Sequence, residues 1–141
     1  MRLPLLLVPV LGLIAAADDA PPKGLEKAQG SWVLKGLVVE GKEIKASDLK
    51  ATLSLKGADY VYTNGDTINK GIYQVDPSKK PMSLDIVCKQ GPDKGKTLPA
   101  IFEVDGDTMR ICLSIKDKER PKDFVSKPES GTVLETWKKA K

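Results

Sequence analysis

The sequence contains no histidine. That absence removes Ser–His and Cys–His nucleophile activation, together with every imidazole metal site. Aromatic residues are scarce as well: two tryptophans, two phenylalanines and three tyrosines leave few side chains bulky enough to fill an interior. Cysteine is limited to Cys88 and Cys112, and neither follows the apolar N-terminal stretch, so a lipoprotein-type lipid anchor has no acceptor. No apolar run approaches the roughly 20 residues that span a bilayer. No long helical period and no internal repeat is present. Lysines alternate with acids along the chain, 23 basic against 19 acidic groups. This describes a solvated surface and not the basic stripe of a nucleic-acid binder.

What is present begins with an address. Met1 and Arg2 precede an apolar stretch over residues 3–14, and Ala15-Ala16-Ala17 offers the small residues read by a signal peptidase. Residues 1–17 therefore read as a signal peptide, with the mature chain exported to the periplasm or outside the cell. After cleavage no segment is left for stable membrane insertion. Residues 18–28, with Pro21-Pro22 and no apolar periodicity, read as a linker. The remainder suffices for one domain with one core. That domain is expected over 29–138, with 139–141 as a basic tail beyond it.

The pattern along that domain has period two. Trp32, Leu34, Gly36 and Val38 form one face of a first strand, which Glu40-Gly41-Lys42 ends as a turn. Ser47 is placed to cap a short turn around Leu49. Further strands are expected over 52–56, 60–63, 70–75, 82–88, 98–104, 108–113 and 132–137. Asn64-Gly65 and Asp105-Gly106 are expected at hairpin turns, where positive φ costs glycine little. Eight strands joined mainly by short connections suit an all-β, antiparallel up-and-down barrel, since closure removes exposed edges. A β-sandwich is the structural alternative.

Several stretches carry a family resemblance. They are Gly30-Ser31-Trp32 at the mouth of the first strand, 71–77, 91–97, 102–108, Ile111-Cys112-Leu113, and Arg120-Pro121 with Phe124 and Ser126-Lys127-Pro128. In this order, over about residues 29–138, the chain resembles a planctomycete-type family of small exported, lipocalin-like domains. What the resemblance implies is an eight-stranded lipocalin-like barrel; it brings no activity with it. Better-known lipocalins pack an arginine across the Gly-x-Trp tryptophan. Here the last strand ends in Trp137-Lys138-Lys139, so a lysine stem stands in that place. The C-terminal helix of larger lipocalins is absent.

Chemical constellations are few. Asp105 and Asp107 flank Gly106 as turn residues. The 91–97 loop superficially resembles a phosphate-binding loop but has one residue too few before Gly-Lys-Thr, and a strand follows it where a helix is needed. Cys88 and Cys112 fall on strands separated by another strand, about 9.6 Å apart, and on opposite faces, so two unpaired thiols are expected. Arg120 and Phe124 lie in the longest loop, 116–130. They either pin it to the barrel or make it a lid or partner contact.

The reading is an exported, non-catalytic domain with no cofactor, no metal and no nucleic-acid partner. Its lumen is lined by Trp32, Leu34, Leu53, Leu55, Tyr73, Leu84, Ile86, Phe102 and Ile111. Those side chains hold a small apolar or amphipathic ligand or, in the competing reading, close the lumen and leave a structural or protein-interaction module. Any pocket is expected to be small and to open at one barrel end, near the 116–130 loop.

Overall fold

The computed structural model of the protein describes residues 20–116 and 119–141. The expected signal peptide lies outside the described residues. The described residues form nine strands: β1 (Gly30–Val39), β2 (Lys42–Ile44), β3 (Thr52–Lys56), β4 (Asp59–Asn64), β5 (Thr67–Asp76), β6 (Met82–Gln90), β7 (Thr97–Asp105), β8 (Thr108–Ser114) and β9 (Thr132–Lys139). From β3 to β9 each strand pairs antiparallel with the next, while β1 pairs with β3 on one edge and β9 on the other. Eight strands thus close into an all-β antiparallel barrel, consistent with a lipocalin-like architecture and not with a sandwich. The extra strand, β2, folds back on the outer half of β1 through Leu37, Val38 and Val39. Lys42 therefore belongs to a strand and not to the preceding turn. The short helical turn near Ser47 also differs: it covers Ala46–Asp48 and has no side-chain cap.

Local chemistry explains the hairpins. Gly57, Gly65 and Gly106 each take the first position of a two-residue turn with φ of 63°, 62° and 62°. This arrangement lets the turn follow the right-handed twist of its strands. Asn64 and Asp105 close the ladders beside two of these turns, paired with Thr67 and Thr108.

One irregularity decides which residues face inward. The β1–β9 register shifts between Leu34 and Gly36, a bulge that leaves Lys35 unpaired with β9 and reverses the alternation beyond it. Trp32 and Leu34 face the core, but from there onward Leu37 and Val39 pack against it instead of Gly36 and Val38. The strict alternation read over 32–39 is corrected to this extent.

The two ends of the barrel differ. At one end Leu25 and Ala28 are fully buried, and the Trp32 indole Nε1–H donates to the Ala28 carbonyl at 2.8 Å. The Gln29 side chain clamps the β3–β4 turn, accepting from Gly57 N at 2.7 Å and donating to Gly57 O at 2.9 Å. The segment expected as a linker therefore has its C-terminal part inside the domain, as a plug. Lys139, expected in the tail, is the last residue of β9 and holds its Nζ 5.2 Å from the Trp32 ring centroid. It occupies the place where the resemblance put a lysine stem.

Above the plug, Trp32, Leu53, Leu84, Phe102, Met109, Ile111 and Trp137 are almost wholly buried. Each such side chain stabilises the fold by roughly 1.5–3 kcal/mol through burial. The opposite end carries the β1–β2 and β4–β5 turns, the 91–96 loop and the start of the long loop after β8, and it is open.

Candidate functional site

At the open end a cavity of about 290 Å³ enters the barrel, lined by Leu37, Val39, Tyr60, Tyr62, Asn69, Tyr73, Ile86, Cys88, Asp93, Leu113, Ile115, Val133, Glu135 and Trp137. Of the residues expected to line the lumen, Tyr73 and Ile86 do so. Trp32, Leu34, Leu53, Leu55, Leu84, Phe102 and Ile111 pack within the core beneath it and do not reach its surface. The lumen is therefore half filled and half open.

Strand parity delivers each wall residue. On β4, Tyr60 and Tyr62 point inward on either side of Val61; on β5, Tyr73 lies across from Ile86 of β6. The rings form two pairs. Tyr60 and Tyr73 lie 4.8 Å apart between centroids at 35°, and Tyr62 meets Trp137 edge-on at 6.1 Å and 88°. Gly71 makes the first pair possible. A Cβ there would meet the Val87 carbonyl oxygen at 1.8 Å and the Tyr60 ring at 3.0 Å, so only glycine fits.

The wall also carries a carboxylate that the sequence reading did not single out. Glu135 sits on β9 between Val133 and Trp137, all three with inward parity, and its cross-strand neighbours are Leu37 and Ile111. Its Oε1 accepts a hydrogen bond from Trp137 Nε1 at 3.1 Å. Burial pushes this carboxyl up to about 7, and the indole bond only partly offsets the rise. The signal was available in principle as an acid on the apolar face of the last strand.

The phenols and the thiol of the wall are held neutral by the same burial. The Tyr60, Tyr62 and Tyr73 hydroxyls are all raised, first by desolvation, with the Glu135 charge adding to each. The Cys88 thiol is also raised by desolvation, although it accepts a hydrogen bond from Tyr60 Oη at 3.4 Å. A thiol in that state is a poor nucleophile. Asp93, at the rim, lies 3.6 Å from Lys96 Nζ.

The two cysteines are free and lie on opposite sides of the barrel wall. Cys88 faces the lumen, whereas Cys112 is buried outside it, its Sγ 3.6 Å from the Val125 carbonyl. Cys112 meets the described part of the long loop there. From Arg120 to Val125 it is fastened to the outside of β6, β7 and β8. Arg120 Nη1 donates to the carbonyls of Leu84 and Ala100, both at 2.9 Å, and Nη2 pairs with Asp85 at 2.8 Å. Arg110 stacks on the Phe124 ring, 4.6 Å from its centroid. Of the two readings of Arg120 and Phe124, the pinned loop matches these contacts.

The remaining constellations resolve as turn and loop chemistry. Asp107 pairs with Lys138 at 3.1 Å, which holds its carboxyl below the usual range. The 91–97 loop leads into β7, so no helix N-terminus faces it. Among the described residues no helix is long and apolar enough to cross a membrane. Comparison with protein-family models, with curated proteins and with solved structures finds no match to this chain.

Proposed function

We propose that the protein is an exported, non-catalytic binding domain that holds one small amphipathic molecule in the open half of its barrel. The observation that carries this is the asymmetry of the lumen: a packed floor of Trp32, Phe102 and neighbours below, and a cavity of about 290 Å³ above. That volume lies at the lower edge of the roughly 300–1,000 Å³ typical of small-molecule sites. It therefore favours a narrow ligand of few heavy atoms. Leu37, Val39, Leu113 and Val133 offer the apolar wall, and the phenols and Glu135 offer the convergent polar groups that fix orientation.

Export rests on the 1–17 pattern, and N-terminal sequencing of secreted material is the check. A start near Asp18 supports it, and recovery of Met1 contradicts it. The non-catalytic assignment rests on the chemistry of the wall, where the Cys88 thiol is raised and the chain has no histidine to activate it. The competing reading, an interaction module with a closed lumen, draws on the filled lower half. Native mass spectrometry of protein purified from its own source, followed by addition of short-chain amphiphiles, separates the two. Saturable binding of one molecule per chain supports the binder. A protein that takes up none of them supports the closed module.

A further inference from the structure

Every tyrosine of the chain and one of its two tryptophans line the cavity that Glu135 also borders. Because aromatic residues are so few, this concentration is not a by-product of an aromatic-rich core. The Tyr60–Tyr73 and Tyr62–Trp137 ring pairs both border the cavity.

The charges there are of one sign. Glu135 and Asp93 line the cavity and, among the described residues, no lysine or arginine does. Of the cations near the open end, Lys96 pairs with Asp93 at the rim and Lys116 with Glu40. Glu135 accepts one bond, at Oε1. Its Oε2 accepts none among the described residues, and no buried side-chain oxygen or nitrogen there is left without a partner. Oε2 is therefore open to the cavity. A carboxylate set among rings without a counter-ion is costly to ionise. The occupant that reverses this cost brings a positive charge, and π-faces stabilise the same charge.

We infer that the mouth is an aromatic cage for an organic cation, with the ligand's ammonium group between Tyr60, Tyr62, Tyr73 and Trp137 and paired with Glu135. This rests on the reading of the mouth as a small-molecule site and adds the class of ligand. The apolar strip formed by Leu37, Val39, Leu113 and Val133 takes a short alkyl chain leading out to solvent.

The titratable groups that share the cavity wall with Glu135 are Tyr60 and Tyr62 from β4, Tyr73 from β5, Cys88 from β6 and Asp93 from the following loop. Its cross-strand partners on β1 and β8 are Leu37 and Ile111. With the phenols and the thiol held neutral, Glu135 is the group inside the cage whose charge changes near neutrality. A cation favours its ionised form, so affinity rises from pH 6 to pH 8.

Calorimetric titration of the folded chain with hexyltrimethylammonium, hexanol and hexyl sulfate tests this, since the three share a tail and differ in charge. At pH 8 the cation is expected to bind at least about tenfold more tightly than the alcohol, and the sulfate most weakly. Glu135→Gln keeps an acceptor for Trp137, and should bring the cation to the affinity of the alcohol and abolish the pH dependence. Tyr62→Leu, which leaves the carboxylate in place, should weaken the cation more than the alcohol. Equal binding of cation and alcohol overturns the cation inference and leaves the small-molecule site standing. Binding of none of the three overturns both.

Discussion

The Trp137 indole Nε1–H donates a 3.1 Å hydrogen bond to Glu135 Oε1, two residues back on the same face of β9. The bond joins a fully buried ring of the cavity wall to the carboxyl beside it. It also ties a titratable group to the core, so the protonation state of the mouth is coupled to the stability of the barrel.

Burial raises the Glu135 carboxyl from an ordinary carboxylate value of 4.5 to about 7. The folded state therefore binds this proton more tightly than the unfolded state does. Its contribution to stability is fully present below about pH 4.5 and is lost as pH rises through about 7. The loss should be on the order of 2 kcal/mol, because the side chain is only part-buried and water at the mouth softens the penalty. Urea melts at pH 5 and pH 8 should show it. In Glu135→Gln the difference should shrink, with the gain in stability over the parent confined to pH 8.

Gly71 allows β5 to pass close to the β6 backbone while the Tyr60 ring packs beside it. Gly71→Ala would place a methyl group 1.8 Å from the Val87 carbonyl oxygen. A rigid carbonyl cannot yield as a side chain can. The expected cost is about 1–3 kcal/mol of overpacking, read as a lower denaturation midpoint. It should be accompanied by a changed tyrosine near-ultraviolet circular dichroism signal.

Arg120 fastens the long loop by three bonds to β6 and β7. Arg120→Ala leaves two carbonyls and Asp85 without that donor, and should cost about 1–3 kcal/mol. Limited proteolysis should then cut within 116–130 faster than in the parent. Arg120→Lys should recover little, since an ammonium lacks the fork that reaches both carbonyls and the carboxylate. Equal cleavage rates in parent and alanine variant would show that Arg120 does not hold the loop.

Cys88 and Cys112 are buried, unpaired and raised above an ordinary thiol by desolvation. A thiol reagent added to folded protein at pH 8 should react slowly. After unfolding without reductant, two groups per chain should titrate. A mass two daltons lower, with no reactive thiol, would contradict the wall geometry that places them on opposite faces.

Much of this fold was legible because its signals are local. Alternation placed Leu84, Ile86 and Cys88 on one face of β6, and the glycines of the hairpins fell at or next to their expected positions. The features that escaped depend on distant chain. The bulge at Lys35 arises from the β1–β9 register, and it moves Leu37 and Val39 into the mouth without any local mark. β2 is three exposed residues, held only by pairing with β1. Leu25 and Ala28 lie in a proline-rich stretch with no period, and become a plug only because the barrel end accepts them. For the site, Tyr73 and Ile86 were legible as inward residues. The division between filled floor and open mouth was not, because it depends on which side chains meet across the lumen. Glu135 escaped because its parity matters only once Val133 and Trp137 are known to face inward.

The two tryptophans provide the most direct test of the central claim that the open mouth, and not the floor or the outer wall, binds a small molecule. Their indole N–H groups report from opposite ends: Trp137 bonds to Glu135 at the mouth, and Trp32 bonds to Ala28 at the plug. In proton–nitrogen correlation spectra of labelled protein titrated with hexyltrimethylammonium, the Trp137 indole signal should move along a saturable curve while the Trp32 signal stays in place. A Trp137 signal that does not move, or two indole signals that drift together without saturation, would contradict the account.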